Sequence, residues 1–253
     1  LISLALRYVG RFEKGVEFNG DFNELSQFLS NHASLARHLG PYKLSMHSGS
    51  DKFSIYEMFA RATRGMFHVK TSGTSYLEAL RVVARYDGQL FRRIIDTARD
   101  HFEEDRNGNM ISANLNNVSA PSQINDNHLM REYLDEDDGR QILHVTFGTV
   151  LSDLSLGPRI HELLQTHEET YRHLLAHHFG RHLAALNRGL QPLGETGSNG
   201  DHFKNGKPTA DDQASENKPI LPIADDQQPH INRGNGNHQQ RPLDIAPSIA
   251  KSK

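Results

Sequence analysis

Residues 40–56 read GPYKLSMHSGSDKFSIY, and this stretch decides the fold. Residues 42–47 alternate as a short strand. A turn of small hydroxyl residues, glycine and one cation follows. Then comes an apolar-periodic segment with Ser54 three residues ahead of Glu57, the pattern of a helix start. The order recurs at residues 66–71, followed by Ser75 with Glu78 and then Leu77, Leu80 and Val83. Upstream, residues 4–12 read as a strand. Asp21 with Glu24 opens a helix carrying Phe22, Leu25, Phe28, Leu29, Leu35 and Leu39, which stops at Gly40-Pro41. Downstream, a helix is expected at residues 89–102, a long polar loop or insertion at 107–140, a fourth strand at 142–147, and two helical pieces within 158–187. Strand followed by helix, several times over, argues a parallel sheet of βα units.

Strand side chains alternate between two faces, so each strand divides into two rows. One row is apolar: Leu4, Leu6, Tyr8 and Phe12, then Leu44 and Met46, then Phe67 and Val69, then Leu143, Val145 and Phe147. The other holds Arg7, Arg11 and Glu13, then Ser45 and His47, then His68 and Lys70, then His144 and Thr146. A strand buried under helices on both faces would be apolar in both rows. A closed β/α barrel accounts for the polar row, because its inner row faces the lumen and carries chemistry at the C-terminal strand ends. Four such units are half of an eight-unit barrel. His68 and His144 also fit as satisfied core histidines, whereas His47 stands at a strand end.

Composition narrows the function. The chain of 253 residues has 36% hydrophobic residues and a mean hydropathy of -0.63, low for a single packed domain. From residue 191 onward Gly, Asn, Asp, Gln, Pro and Lys dominate, so residues 191–253 are expected to form a disordered tail. It contains an imperfect repeat, PTADDQ at 208–213 and PIADDQ at 222–227. A net charge of -3 gives no electrostatic case for nucleic acid or an anionic membrane. Without cysteine, any metal must be held by His, Asp or Glu. No apolar run approaches the roughly 20 residues of a membrane span, and nothing resembles a signal peptide. The expected setting is cytoplasmic. A start at Leu1, directly in an extended segment, reads as a cut through a longer protein.

Three stretches together, RYVGRFEKGVEFNGD (7–21), GPYKLSMHSGSDKFSIY (40–56) and FHVKTSGTSYLEALRV (67–82), with LHVTFGTVL (143–151) as a looser fourth, resemble the tagaturonate epimerase family. The resemblance covers roughly residues 1–190. It implies the C-terminal half of a (β/α)8 TIM-like barrel, with residues 1–190 as a partial catalytic domain. It also implies a divalent cation and a sugar-acid substrate, D-tagaturonate or D-fructuronate. The remaining, N-terminal half of the same protein is implied as the partner, and the chain alone is expected to be inactive. Within that reading Glu13, His47 and His68 are candidate metal ligands. Arg11, Ser48, Lys52 and Thr71 are candidates for binding substrate, and Lys70 and Asp51 for catalysis. Each Ser/Thr/Gly loop also reads as an ordinary helix N-terminal turn. The alternatives are another metal-dependent sugar-acid isomerase or aldolase, or a non-catalytic protein that binds a partner or metal.

His161, His167, His173, His177, His178 and His182 crowd the last helical stretch. The pairs 173/177 and 178/182 share faces and could bind zinc or nickel. A solvated helix face is the expected reading.

Overall fold

A computed structural model describes residues 2–47 and 51–191. Its sheet has three parallel strands in sequence order: β1 (Ser3–Ala5), β2 (Lys43–Met46) and β3 (Phe67–Val69). Helices α1 (Phe22–Leu39) and α2 (Phe53–Thr63) make the crossovers. Leu4, Leu44 and Phe67 lie in register on one face, and Ala5, Ser45 and His68 on the other. The two rows read from the sequence are therefore real in β2 and β3. Leu44 and Met46 are fully buried against α1 and α2, together with Leu25, Leu29, Ile55, Tyr56 and Phe59.

Local signals explain the helix starts unevenly. Asp21 caps α1 by accepting from the amides of Asn23 and Glu24, at 2.7 and 3.0 Å. Helix α2 begins at Phe53, one residue before Ser54, and is capped from a distance. The Glu17 carboxylate accepts from the Phe53 amide at 2.8 Å and the Ser54 hydroxyl at 2.7 Å. Helix α3 (Ser72–Tyr86) begins three residues before Ser75, whose hydroxyl donates back to the Thr71 carbonyl.

Beyond β3 the chain is helical: α3, α4 (Gly88–Asp105), α5 (Asp126–Leu134), α6 (Asp137–Val145), α7 (Phe147–Ser152), α8 (Gly157–Thr166) and α9 (Glu168–Leu190). This corrects two expectations. Residues 142–147, expected as a fourth strand, form the end of α6 and the start of α7. Ile142 and Leu143 are fully buried in a second core with Leu77, Leu80, Phe91, Ile95 and Phe102. A short apolar run fits a buried helix turn as well as a strand, and the acidic Asp137-Asp138 pair in the first turn favours the helix. The polar stretch 107–140 is not one loop, since it holds α5 and the opening of α6. The result is a mixed α/β fold, mostly helical, with a small parallel sheet.

Helix α9 runs across α2 and α3. At Gly189 its backbone comes so close to α2 that a Cβ would stand 2.2 Å from the Glu57 carbonyl oxygen. No helix among the described residues is long and apolar enough to cross a membrane. The expected tail lies outside the described residues.

Candidate functional site

Two groups of polar side chains flank the strand ends. The first lies on the sheet face away from α1 and α2. Ser45 Oγ and His68 Nδ1, paired across β2 and β3, are 2.8 Å apart. The His68 ring stands edge-on to that of His47, with centroids 6.4 Å apart. Desolvation, followed by the charges of Lys70 and His68, holds the His47 imidazole below its ordinary pKa. Lys14 is lowered likewise, by burial and by Lys70. His47, His68 and Lys70 are all exposed, so this face carries imidazole and ammonium groups in reach of a ligand. Thr71, at the start of α3, lines a cavity of about 360 Å³ together with Phe67, His68, Phe179, His182 and Leu186.

The second group is buried. Lys52 is fully enclosed, and its ammonium donates to the Glu13 carbonyl at 2.7 Å and to the Val16 carbonyl. Burial pulls its pKa down to about 8. Lys52 thus ties the 13–16 loop to the start of α2. Glu13 is 4% exposed. Its Oε2 accepts from the Ser112 amide and hydroxyl and from Gln141 Nε2, at 3.0, 2.5 and 2.9 Å, and its Oε1 pairs with Arg11 at 2.6 Å. Burial alone would raise its carboxyl, but the Ser112 and Gln141 bonds and the Arg11 charge hold it below the ordinary value. Asp51, in the left-handed region at φ 61°, pairs with Arg140 through Oδ2. Its Oδ1 lies 3.4 Å from His182 Nε2.

The structure thus brings His47, His68 and Lys70 together. Glu13, Asp51 and Lys52 are placed in the buried network, and Ser48 falls outside the described residues. His144, expected on the sheet's polar row, instead sits on α6 between Gly15 and Gly73. A Cβ on Gly73 would fall 1.9 Å from its Nε2. Burial, with Lys14 and Arg140 adding to it, pushes His144 down to about 4.

The expectation of a solvated histidine face on the last helix needs correction. His173 and His177 are exposed, but His178 and His182 are 6% and 3% exposed. With Asp51 they offer one ligand atom each, all within 4.8 Å of one another. A signal existed in the sequence: His178 and His182 continue into Ala185, Leu186 and Gly189, all on one buried stripe.

A profile of the tagaturonate epimerase family matches residues 1–186. The tagaturonate/fructuronate epimerase of Thermotoga maritima is 45% identical over 184 residues, which is 73% of this chain and 38% of that protein. Crystal structures of fructuronate-tagaturonate epimerase from Cohnella laeviribosi superpose with TM-scores of 0.69, in a glycerol complex, and 0.68, in the native form. Both are 40% identical to this chain and cover 74% of it, against 39% of their own length. The chain therefore spans a little under two fifths of the relatives it matches. A match over most of the chain, joined to a parallel sheet with a histidine- and lysine-bearing face, places it in the tagaturonate epimerase family.

Proposed function

We propose that this chain supplies part of a β/α-barrel active site that interconverts D-tagaturonate and D-fructuronate with the help of a divalent cation. The rest of the barrel comes from the part of the family's length that the chain does not span. The observation that carries the reading is the convergence of His47, His68 and Lys70 on one exposed sheet face at the C-terminal ends of adjacent parallel strands.

The donors present suit such a cation. His68 Nδ1 is held by Ser45, which leaves Nε2 as the nitrogen for a ligand, and the depressed basicity of His47 favours the form that binds metal. Glu13 is held in the buried network by Ser112, Gln141 and Arg11, so it stands outside this donor set. When bound, the ion polarises the substrate ketone. The two sugar acids differ at the carbon β to that ketone, so direct α-proton exchange cannot interconvert them. A base takes the proton from the hydroxyl on the β carbon, the bond to the α carbon breaks, and its electron pair becomes an enediolate. The aldehyde fragment turns, the bond re-forms on its other face, and the proton returns to the new alkoxide. Lys70, on the same face, is suited to offset the enediolate charge with its ammonium. Arg11, Ser48 and Thr71 suit the substrate carboxylate and hydroxyls, while Lys52 ties Glu13 to the start of α2 and Asp51 pairs with Arg140.

The test is a chimera in which residues 1–186 replace the matching segment of the Thermotoga maritima relative. It should turn over tagaturonate, whereas the 253-residue chain alone should not. His47→Ala in the chimera should lower kcat by on the order of 10²–10⁴, the range for removing a positioned catalytic group. An unaltered rate would overturn the assignment.

A further inference from the structure

From the packing of α9 we infer a second metal site, separate from the exposed face: Asp51, His178 and His182 bind one divalent cation of borderline softness, such as zinc, and lock α9 to the starts of α2 and α3. The hydrogen bonds around the two imidazoles point to it. His182 Nδ1 lies 2.8 Å from the His178 carbonyl, which can only accept, so the proton is on Nδ1 and Nε2 carries the lone pair. The Asp51 amide, 3.4 Å from that Nε2, is oriented to donate to it, in agreement. His178 Nε2 lies 3.1 Å from the Thr74 hydroxyl, which donates to the Thr71 carbonyl and accepts from the ring. That assignment puts the second lone pair on His178 Nδ1. Each imidazole is thereby fixed by a protein oxygen through one nitrogen, while the other carries its lone pair toward the cluster: His182 Nε2 beside the Asp51 amide at a long 3.4 Å, and His178 Nδ1 3.9 Å from Glu78 Oε1.

The third donor completes the case. Asp51 Oδ1 is buried and without a hydrogen-bond partner. It faces the His182 Nε2 lone pair at 3.4 Å. Two lone pairs in contact inside the fold repel, and either a second proton on His182 or a cation between them relieves this. Arg140 takes only Oδ2, which leaves Oδ1 for the ion. Two imidazole nitrogens and one carboxylate oxygen are a donor set for zinc rather than for calcium or magnesium. His182 also lines the cavity beside β3. Burial separates this pair from His173 and His177 on the same helix, which bind loosely at best.

The experiment is calorimetric titration of the chelator-treated 253-residue chain with zinc ion, alongside Asp51→Asn, His182→Gln and His177→Ala variants. Folding of each is checked by circular dichroism. One tight equivalent should bind to the parent chain and to His177→Ala. In Asp51→Asn and His182→Gln it should weaken by more than the ~10–100-fold that loss of an outer-shell partner brings. X-ray absorption of the zinc-loaded chain carrying His47→Ala, which removes a donor from the exposed face and none from this site, should show two imidazoles and at least one oxygen ligand. No tight equivalent in the parent chain overturns the proposal, as does undiminished binding in Asp51→Asn and His182→Gln. A zinc shell with other than two histidines does the same. The chimera's activity is read separately from zinc binding by the 253-residue chain, so failure here leaves the reading of the exposed face standing.

Discussion

The exposed face of His47, His68 and Lys70 and the buried network of Asp51, Lys52, His144, His178 and His182 use the same residue types to opposite ends. On the exposed face the polar atoms are few, accessible and near one another, with Ser45 fixing a single ring. In the buried network most polar atoms meet a protein partner, Lys52 two carbonyls, Asp51 an arginine and His182 a carbonyl, with Asp51 Oδ1 and His144 Nδ1 the exceptions. Accessibility, not residue identity, separates groups free to act on a ligand from groups that hold the chain in place.

That contrast can be broken most severely at Gly73. The His144 ring occupies the space a Cβ would need, at 1.9 Å from its Nε2. Gly73→Ala should destabilise the fold by about 1–3 kcal/mol through overpacking, measured by urea unfolding. Gly148→Ala, with nothing within 4 Å of the added Cβ, should not.

Acid is the next lever. Burial holds His144 and His178 near 4 in the folded chain, against an unfolded value of 6.5. Between those values the unfolded chain binds more protons, so stability should fall as pH is lowered from about 6.5 to 4. His178→Gln should flatten part of that fall, and His173→Gln, on the exposed side of α9, should leave it unchanged. Denaturant midpoints at pH 7, 5.5 and 4.5 would show the slope. The smallest effect belongs to Glu17, whose carboxylate caps α2. Glu17→Ala should cost about 1 kcal/mol, the usual loss for a helix cap.

Much of the sheet half was legible in the sequence. Alternation in residues 43–46 and 67–69 separated Leu44, Met46, Phe67 and Val69 from Ser45 and His68, and the register places them on those two faces. Asp21 marked the start of α1 because its cap is local. The start of α2 depends on Glu17, 36 residues before Phe53 and joined to it only by folding. Residues 142–147 misled because every position from Gln141 to Thr146 is buried, so neither the two-residue nor the 3.6-residue period survives there. Burial of His178 and His182 depends on the close approach of α9 to α2, and its one signal in the sequence is the continuation of their stripe into Ala185, Leu186 and Gly189.

The most direct measurement sets the two regions against each other in one protein. In the chimera, kcat and thermal midpoint would be determined for Lys70→Met and for Lys52→Met. Lys70→Met should lose most of the activity while keeping the midpoint. Lys52→Met leaves the Glu13 and Val16 carbonyls without their donor, and should lower the midpoint by several degrees. A Lys70→Met protein that unfolds early yet turns over substrate normally would contradict the division of labour between the exposed face and the buried network.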